Sequence, residues 1–198
     1  MSWVDDITSL AFLNTDLAAS FAATTWLFLE WKNARKPHFV GLLTGAVAGL
    51  ATITPAAGFV PIYASVIIGI VSSFVCYYAV QLKNQLQVDD ALDVWGVHGV
   101  GGLLGIILLG VFASTTINPA GGVGLIHGSA SFFGKQLVAG VGCSLYAFVF
   151  TLVMLKAIDR ITPVRVGEEA ERGLDEAMHG ESAYQDAPPP IGGVAPAL

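Results

Sequence analysis

Asp89-Asp90-Ala91-Leu92-Asp93-Val94-Trp95-Gly96-Val97-His98-Gly99-Val100-Gly101-Gly102 opens an apolar run that continues to Ala113. Carboxylates stand at the mouth of a hydrophobic helix, and a single imidazole follows inside it. At roughly 1.5 Å per residue, a histidine about eight residues in lies on the order of 12 Å deep. An ionisable group at that depth in a bilayer is expensive and by default marks a path for ions, protons or polar substrates. The competing reading is a neutral histidine hydrogen-bonded between helices for packing. Gly96, Gly99, Gly101, Gly102 and Gly105 remove side chains around the ring, which permits tight helix contacts and also leaves room for a narrow pore.

Working outward, the whole chain matches a membrane setting. Its 198 residues are 54% hydrophobic and only 12% charged, with 23 glycines, and the mean hydropathy is +0.68. This composition describes a polytopic, all-α integral membrane protein rather than a soluble domain. Five spans are predicted, at about 10–31, 39–54, 60–82, 91–113 and 136–159, within a membrane domain 1–161. Residues 162–198 form a cytoplasmic tail, and Pro188-Pro189-Pro190 with Gly192-Gly193 makes its end disordered by composition.

The first run ends in the aromatic cluster Trp26, Phe28 and Trp31, of the kind found at a bilayer interface. The second is shorter than a full span and carries Gly41, Gly45 and Gly49 at i, i+4 and i+8, so it can approach a neighbouring helix closely. It ends in Thr54-Pro55-Ala56-Ala57-Gly58, which reads as an ordered, uncharged turn. Lys32, Arg35 and Lys36 follow the first span, Lys83 the third, and Arg160, Arg165 and Arg172 the fifth, whereas the other connections hold only Lys135. Positive charge marks the cytoplasmic side, so the N-terminus is expected outside and the tail inside. That is an odd topology for a chain starting at Met1 with no basic leader.

Asp89, Asp90 and Asp93 suit a helix N-terminus, where carboxylates cap free amides and meet the positive end of the dipole. The alternative is a cation-attracting vestibule, which on the cytoplasmic side would be an exit. Asp16 could recruit a cation near the outer face or simply reach the interface, and His38, His127 and His179 read as solvated. Cys76 and Cys143 lie in apolar runs and read as small buried hydrophobes. No zinc motif, nucleophile elbow, phosphate loop or basic aromatic patch is present, so neither an enzyme, a metal, another cofactor nor a nucleic-acid partner is expected.

The stretch Asp89-Asp90-x-x-Asp93-Val94-x-x-Val97-His98-Gly99-x-Gly101-Gly102, with Gly105 and Gly110-x-Phe112-Ala113, strongly resembles the signature of ammonium transporters of the Amt/Mep/Rh family. Ala11-Phe12-Leu13-Asn14-Thr15 resembles that family's seventh helix and Gly49-Leu50-Ala51-x-Ile53-Thr54-Pro55-Ala56-Ala57-Gly58 the end of its eighth. Gly173-Leu174-Asp175 and His179-Gly180-Glu181-x-Ala183-Tyr184 resemble its cytoplasmic tail. The resemblance implies an eleven-helix fold whose first ten helices form two inverted five-helix repeats around a pore, assembled as trimers. It implies that ammonium is recruited outside, deprotonated and conducted past two hydrogen-bonded histidines, of which His98 matches the second. It implies too that Val94, one turn earlier, lines the same wall. The matching tail residues imply control through a PII-type signal protein.

Only helices seven to eleven are matched, so the first histidine, the gating phenylalanines and the outer recruitment site have no counterpart. The expectation is therefore half of a pore in the plasma membrane, from a natural half-protein, one member of a split pair or a truncated gene model, inactive by itself. The rival expectation is a regulatory or assembly subunit that docks on full-length transporters, or a fragment without function.

Overall fold

A computed structural model describes residues 5–171 and 173–181. Every regular element among the described residues is helical: α1 (Asp6–Ala34), α2 (Phe39–Ile53), α3 (Ile62–Gln85), a π-helical turn (Trp95–Gly99) leading into α4 (Val100–Phe112), a 3-10 turn (Leu125–His127), α5 (Ala130–Asp159), α6 (Glu168–Glu171) and α7 (Leu174–His179). The chain divides into two units, one through Tyr146 and one from Ala147, with the boundary inside α5.

Among the described residues, three segments are long and apolar enough to cross a membrane: Ile62–Gln85, Trp95–Phe112 and Ala130–Asp159. The apolar α2 is short, at 15 residues. Helix α1 has the length, at 29 residues, but carries Asp6, Asp16, Glu30 and Lys32. Its N-terminus precedes the apolar run because Asp5 caps it, accepting the Thr8 amide at 2.8 Å.

In the first unit α1, α2 and α3 pack together through small residues. The glycine stripe of α2 descends along α1, with Gly41 against the Glu30 carboxylate, Gly45 against Trp26 and Gly49 against Ala18 and Ala22. On α3, Gly69 meets the Ala18 backbone. At Gly49 and Gly69 a methyl would collide chiefly with the Ala18 backbone, so glycine there sets the interhelix distance, whereas at Gly41 and Gly45 it would meet mainly the Glu30 and Trp26 side chains. One core cluster joins Ala18, Ile53, Ala56, Val60, Ala64 and Ile68. The other joins Trp26, Leu29, Ala48, Cys76, Tyr77, Val80 and Val97, with Trp26 edge-on to Tyr77 at 5.3 Å between centroids.

The turn after α2 is held by side-chain and backbone groups from distant segments. Asn14, fully buried on α1, donates its amide to the carbonyls of Ala57 at 2.8 Å and Val60 at 3.0 Å. Asn118 donates to the Gly58 carbonyl at 3.2 Å, and the Ser114 amide to the Phe59 carbonyl at 2.9 Å. Non-helical backbone among apolar helices survives because protein groups satisfy its carbonyls. Within the turn Thr54 returns its hydroxyl to the Leu50 carbonyl at 2.6 Å, and Pro55 lies against Gly105 of α4.

In the second unit, the Asp159 carboxylate accepts the Val164 amide at 3.0 Å, and Arg165 pairs with Glu171 at 3.1 Å.

Candidate functional site

The site is built at the entry to the fourth hydrophobic helix. Residues 91–93 form a turn, with Asp93 in the left-handed region at φ 55, and helical structure begins at Val94. The expected start at residue 91 thus shifts by three residues, since a left-handed residue cannot propagate a right-handed helix. Asp93 stands just ahead of the helix and not in its first turn.

Asp90 caps that helix with both oxygens: Oδ1 accepts the Val94 amide and Oδ2 the Trp95 amide, each at 2.9 Å. These bonds hold the Asp90 carboxyl below its ordinary range, chiefly through the Trp95 amide, with the Val94 amide and the Lys83 charge acting in the same direction. Lys83, near the end of α3, places its ammonium 2.7 Å from Asp93 Oδ1 and 2.7 Å from the Asp90 carbonyl oxygen. Its side chain is only 7% exposed. A lysine that reads as an orientation charge in the sequence is therefore a buried partner of the helix entry.

The first turn is wide: the Val100 amide reaches the Trp95 carbonyl, five residues back. Such π turns are rare and are found frequently at functional sites. Packing decides which face the turn presents. Gly96 abuts Val80, Val97 is 3% exposed inside the second core cluster, Gly101 faces Thr52 and Cys76, and Gly105 faces the Thr52 carbonyl. The opposite side is open. Val94 and Trp95 are each 49% exposed, His98 and Gly99 are exposed beside them, and a methyl at Gly102 would meet nothing within 4 Å. An imidazole, a valine and an indole thus lie along an open, glycine-cleared stripe of an apolar helix. It is a surface that offers two hydrogen-bonding groups, the His98 imidazole and the Trp95 indole N–H, in otherwise apolar surroundings, and of these only the imidazole can also accept.

The other candidates lie apart from this stripe. Thr54, Pro55 and Gly58 belong to the braced turn described above. Asp16 and His127 are exposed, and His38 stands 3.6 Å from the Glu30 carboxylate, which also accepts its backbone amide at 2.8 Å. Cys76 is buried and Cys143 exposed. In the second unit Gly173 precedes α7, which holds Leu174, Asp175 and His179 and closes on Gly180 at φ 70, followed by Glu181. Tyr184 lies outside the described residues. No group of three or more His, Cys, Asp or Glu among the described residues is arranged to hold a metal.

Asn14 and Asn118 brace the turn, and spacing alone does not single them out. The available signal is that Asn14 interrupts an apolar helix, where an amide needs buried partners.

The chain is 46% identical over 186 residues to the ammonium transporter of Bacillus subtilis, covering 93% of this chain and 46% of that protein. It is 38% identical over 181 residues to the ammonium transporter Amt1 of Archaeoglobus fulgidus, covering 91% of this chain and 46% of that one. The crystal structure of Candida albicans Mep2 superposes with a TM-score of 0.79 at 39% identity, covering 84% of this chain and 38% of that one. The chain thus spans less than half the length of the curated relatives it matches. The family model described as Ammonium Transporter Family matches residues 2–184. With its apolar helices, the chain is a multi-pass membrane protein, and it belongs to the ammonium transporter family, a family of transporters and not of enzymes.

Proposed function

We propose that the chain forms one wall of a narrow membrane pore that conducts ammonium or ammonia, with His98 as the hydrogen-bonding group of that wall and Val94 beside it. The observation that carries this reading is the open stripe of the π turn and α4, where an exposed imidazole sits among glycines on an otherwise apolar helix. A second histidine from the facing half of the pore completes the pair. A dry, narrow passage admits a small neutral amine, and imidazole nitrogens replace the hydrogen bonds it leaves in water. Sodium and potassium are rejected because nothing in such a passage replaces their hydration shells.

In this reading α1 to α5, with the π turn opening the fourth span, are five spans equivalent to the second half of the family fold. The N-terminus lies outside and the tail in the cytoplasm of a plasma-membrane protein, following the Lys and Arg distribution. Asp90 and Asp93 support the helix entry at the pore exit, and Thr54, Pro55 and Gly58 shape the outer turn. Three complete pores assemble as a trimer. Gly173, Leu174, Asp175, His179, Gly180, Glu181 and Tyr184 form the surface through which a PII-type signal protein acts.

The test is a chimera in which this chain replaces the matching 46% of the Bacillus subtilis ammonium transporter, produced in a strain lacking its own ammonium uptake. Restored uptake of labelled methylammonium is the expected result. A chimera that reaches the membrane folded yet transports nothing contradicts the proposal.

A further inference from the structure

A lysine ammonium that is almost fully enclosed needs a reason beyond stability, since replacing a buried ion pair with apolar side chains is often neutral or stabilising. The Lys83 ammonium joins two residues of the turn that opens the fourth hydrophobic helix. It touches the Asp93 carboxylate and the Asp90 carbonyl, each at 2.7 Å. Asp90 in turn holds the amides of Val94 and Trp95, and the Asp93 carbonyl accepts the Val97 amide at 2.9 Å. Each residue of this chain of bonds thus acts on the backbone immediately before His98.

The wide turn at Trp95–Gly99 carries one residue more than an α-helical turn would. Left to itself it can relax by slipping one residue, which rotates everything on one side of it by about 100°. On the far side Gly101 and Gly105 are seated on Thr52, Cys76 and Pro55 and cannot turn. On the near side Gly96 and Val97 are packed against Val80 and the second core cluster, and Lys83 adds the polar restraint at Asp90 to Val94, where the backbone enters the turn.

We propose that Lys83 and Asp93 act as a clamp that keeps the π turn wound and thereby aims the His98 imidazole along the open stripe. Lys83 is a positioning residue for His98, and the functional significance of the clamp rests on the pore reading given above. Its geometry does not, and can be tested separately.

The test uses the full chain in lipid nanodiscs, isotope-labelled for NMR, with the His98 imidazole signals assigned through a His98→Gln control. In Lys83→Met and Asp93→Asn, amide hydrogen exchange across Trp95–Gly99 is expected to rise on the order of tenfold, as for loss of a charge-assisted bond. The His98 imidazole signals shift, whereas the His127 imidazole and the α1 and α2 amides stay as in the wild type. Lys83→Arg retains the wild-type signals. Unchanged His98 signals in the folded variants overturn the clamp, and so does a uniform loosening of all helices, which marks a merely structural pair. If Lys83→Met fails to fold, Asp93→Asn decides, because asparagine keeps the shape and tolerates the left-handed φ. A clamp that passes this test in a chain whose chimera transports nothing refutes the pore reading alone.

Discussion

Asn14 and Ala57, separated by 43 residues, are joined by a 2.8 Å hydrogen bond from the Asn14 side-chain amide to the Ala57 carbonyl. The same nitrogen reaches the Val60 carbonyl at 3.0 Å. One side chain therefore closes the non-helical turn between α2 and α3 onto α1. Asn14→Ala leaves both carbonyls without this donor at a fully buried site, and each such loss costs about 1–3 kcal/mol. A destabilisation of roughly 2–4 kcal/mol is expected, read from reversible unfolding in detergent. Asn118→Ala removes a longer bond to the Gly58 carbonyl at 3.2 Å and a local one from the Ala120 amide at 3.0 Å, and is expected to lose less because only the first of these reaches the turn. Equal losses would show that the turn does not depend on Asn14 in particular.

The glycines of α4 separate into those that face neighbouring backbone and those that do not. At Gly105 a methyl would run into the Thr52 carbonyl, whereas at Gly102 it meets nothing within 4 Å. Gly105→Ala is expected to destabilise by about 1–3 kcal/mol through overpacking. Gly102→Ala is expected to be neutral or to gain up to about 1 kcal/mol, on the order of the helix preference of alanine over glycine. Thermal unfolding of the two variants side by side checks the contrast.

Acid should loosen the entry to the fourth hydrophobic helix through Asp90. Its carboxyl is held below the ordinary range by the Trp95 and Val94 amides. The stabilisation it contributes is therefore full above an unfolded-state value of about 3.9 and is lost as pH falls through the lower folded-state value. Asp90→Asn is expected to melt at a lower temperature than the wild type at pH 7. The gap should narrow as pH drops below about 4, since the wild type then also loses its carboxylate. A gap that is independent of pH would remove the ionised cap from the explanation.

Local pattern in the sequence carried a good part of this fold. The i, i+4, i+8 glycines of α2 announce a close approach, and all three lie against α1. The glycine cluster around His98 announces both contact and clearance. Gly96, Gly101 and Gly105 supply the contact, and Gly102 the clearance. Long-range pairing was out of reach: nothing in the spacing says that Asn14 meets Ala57 or that Lys83 folds back on Asp93. The left-handed φ of Asp93 was hidden as well, because aspartate visits that region only occasionally. That one backbone angle moves the helix start from residue 91 to Val94, and a π turn leaves no periodic trace in so short a stretch.

The most direct measurement is labelled methylammonium uptake by the chimera carrying this chain, compared with the same chimera bearing His98→Ala and matched for membrane abundance. The one side chain of that stripe that can both donate and accept a hydrogen bond should be indispensable to a selective pore. Loss of saturable, potassium-insensitive uptake in His98→Ala is the expected result. Unchanged uptake in that variant would contradict the assignment of His98 to the conduction path.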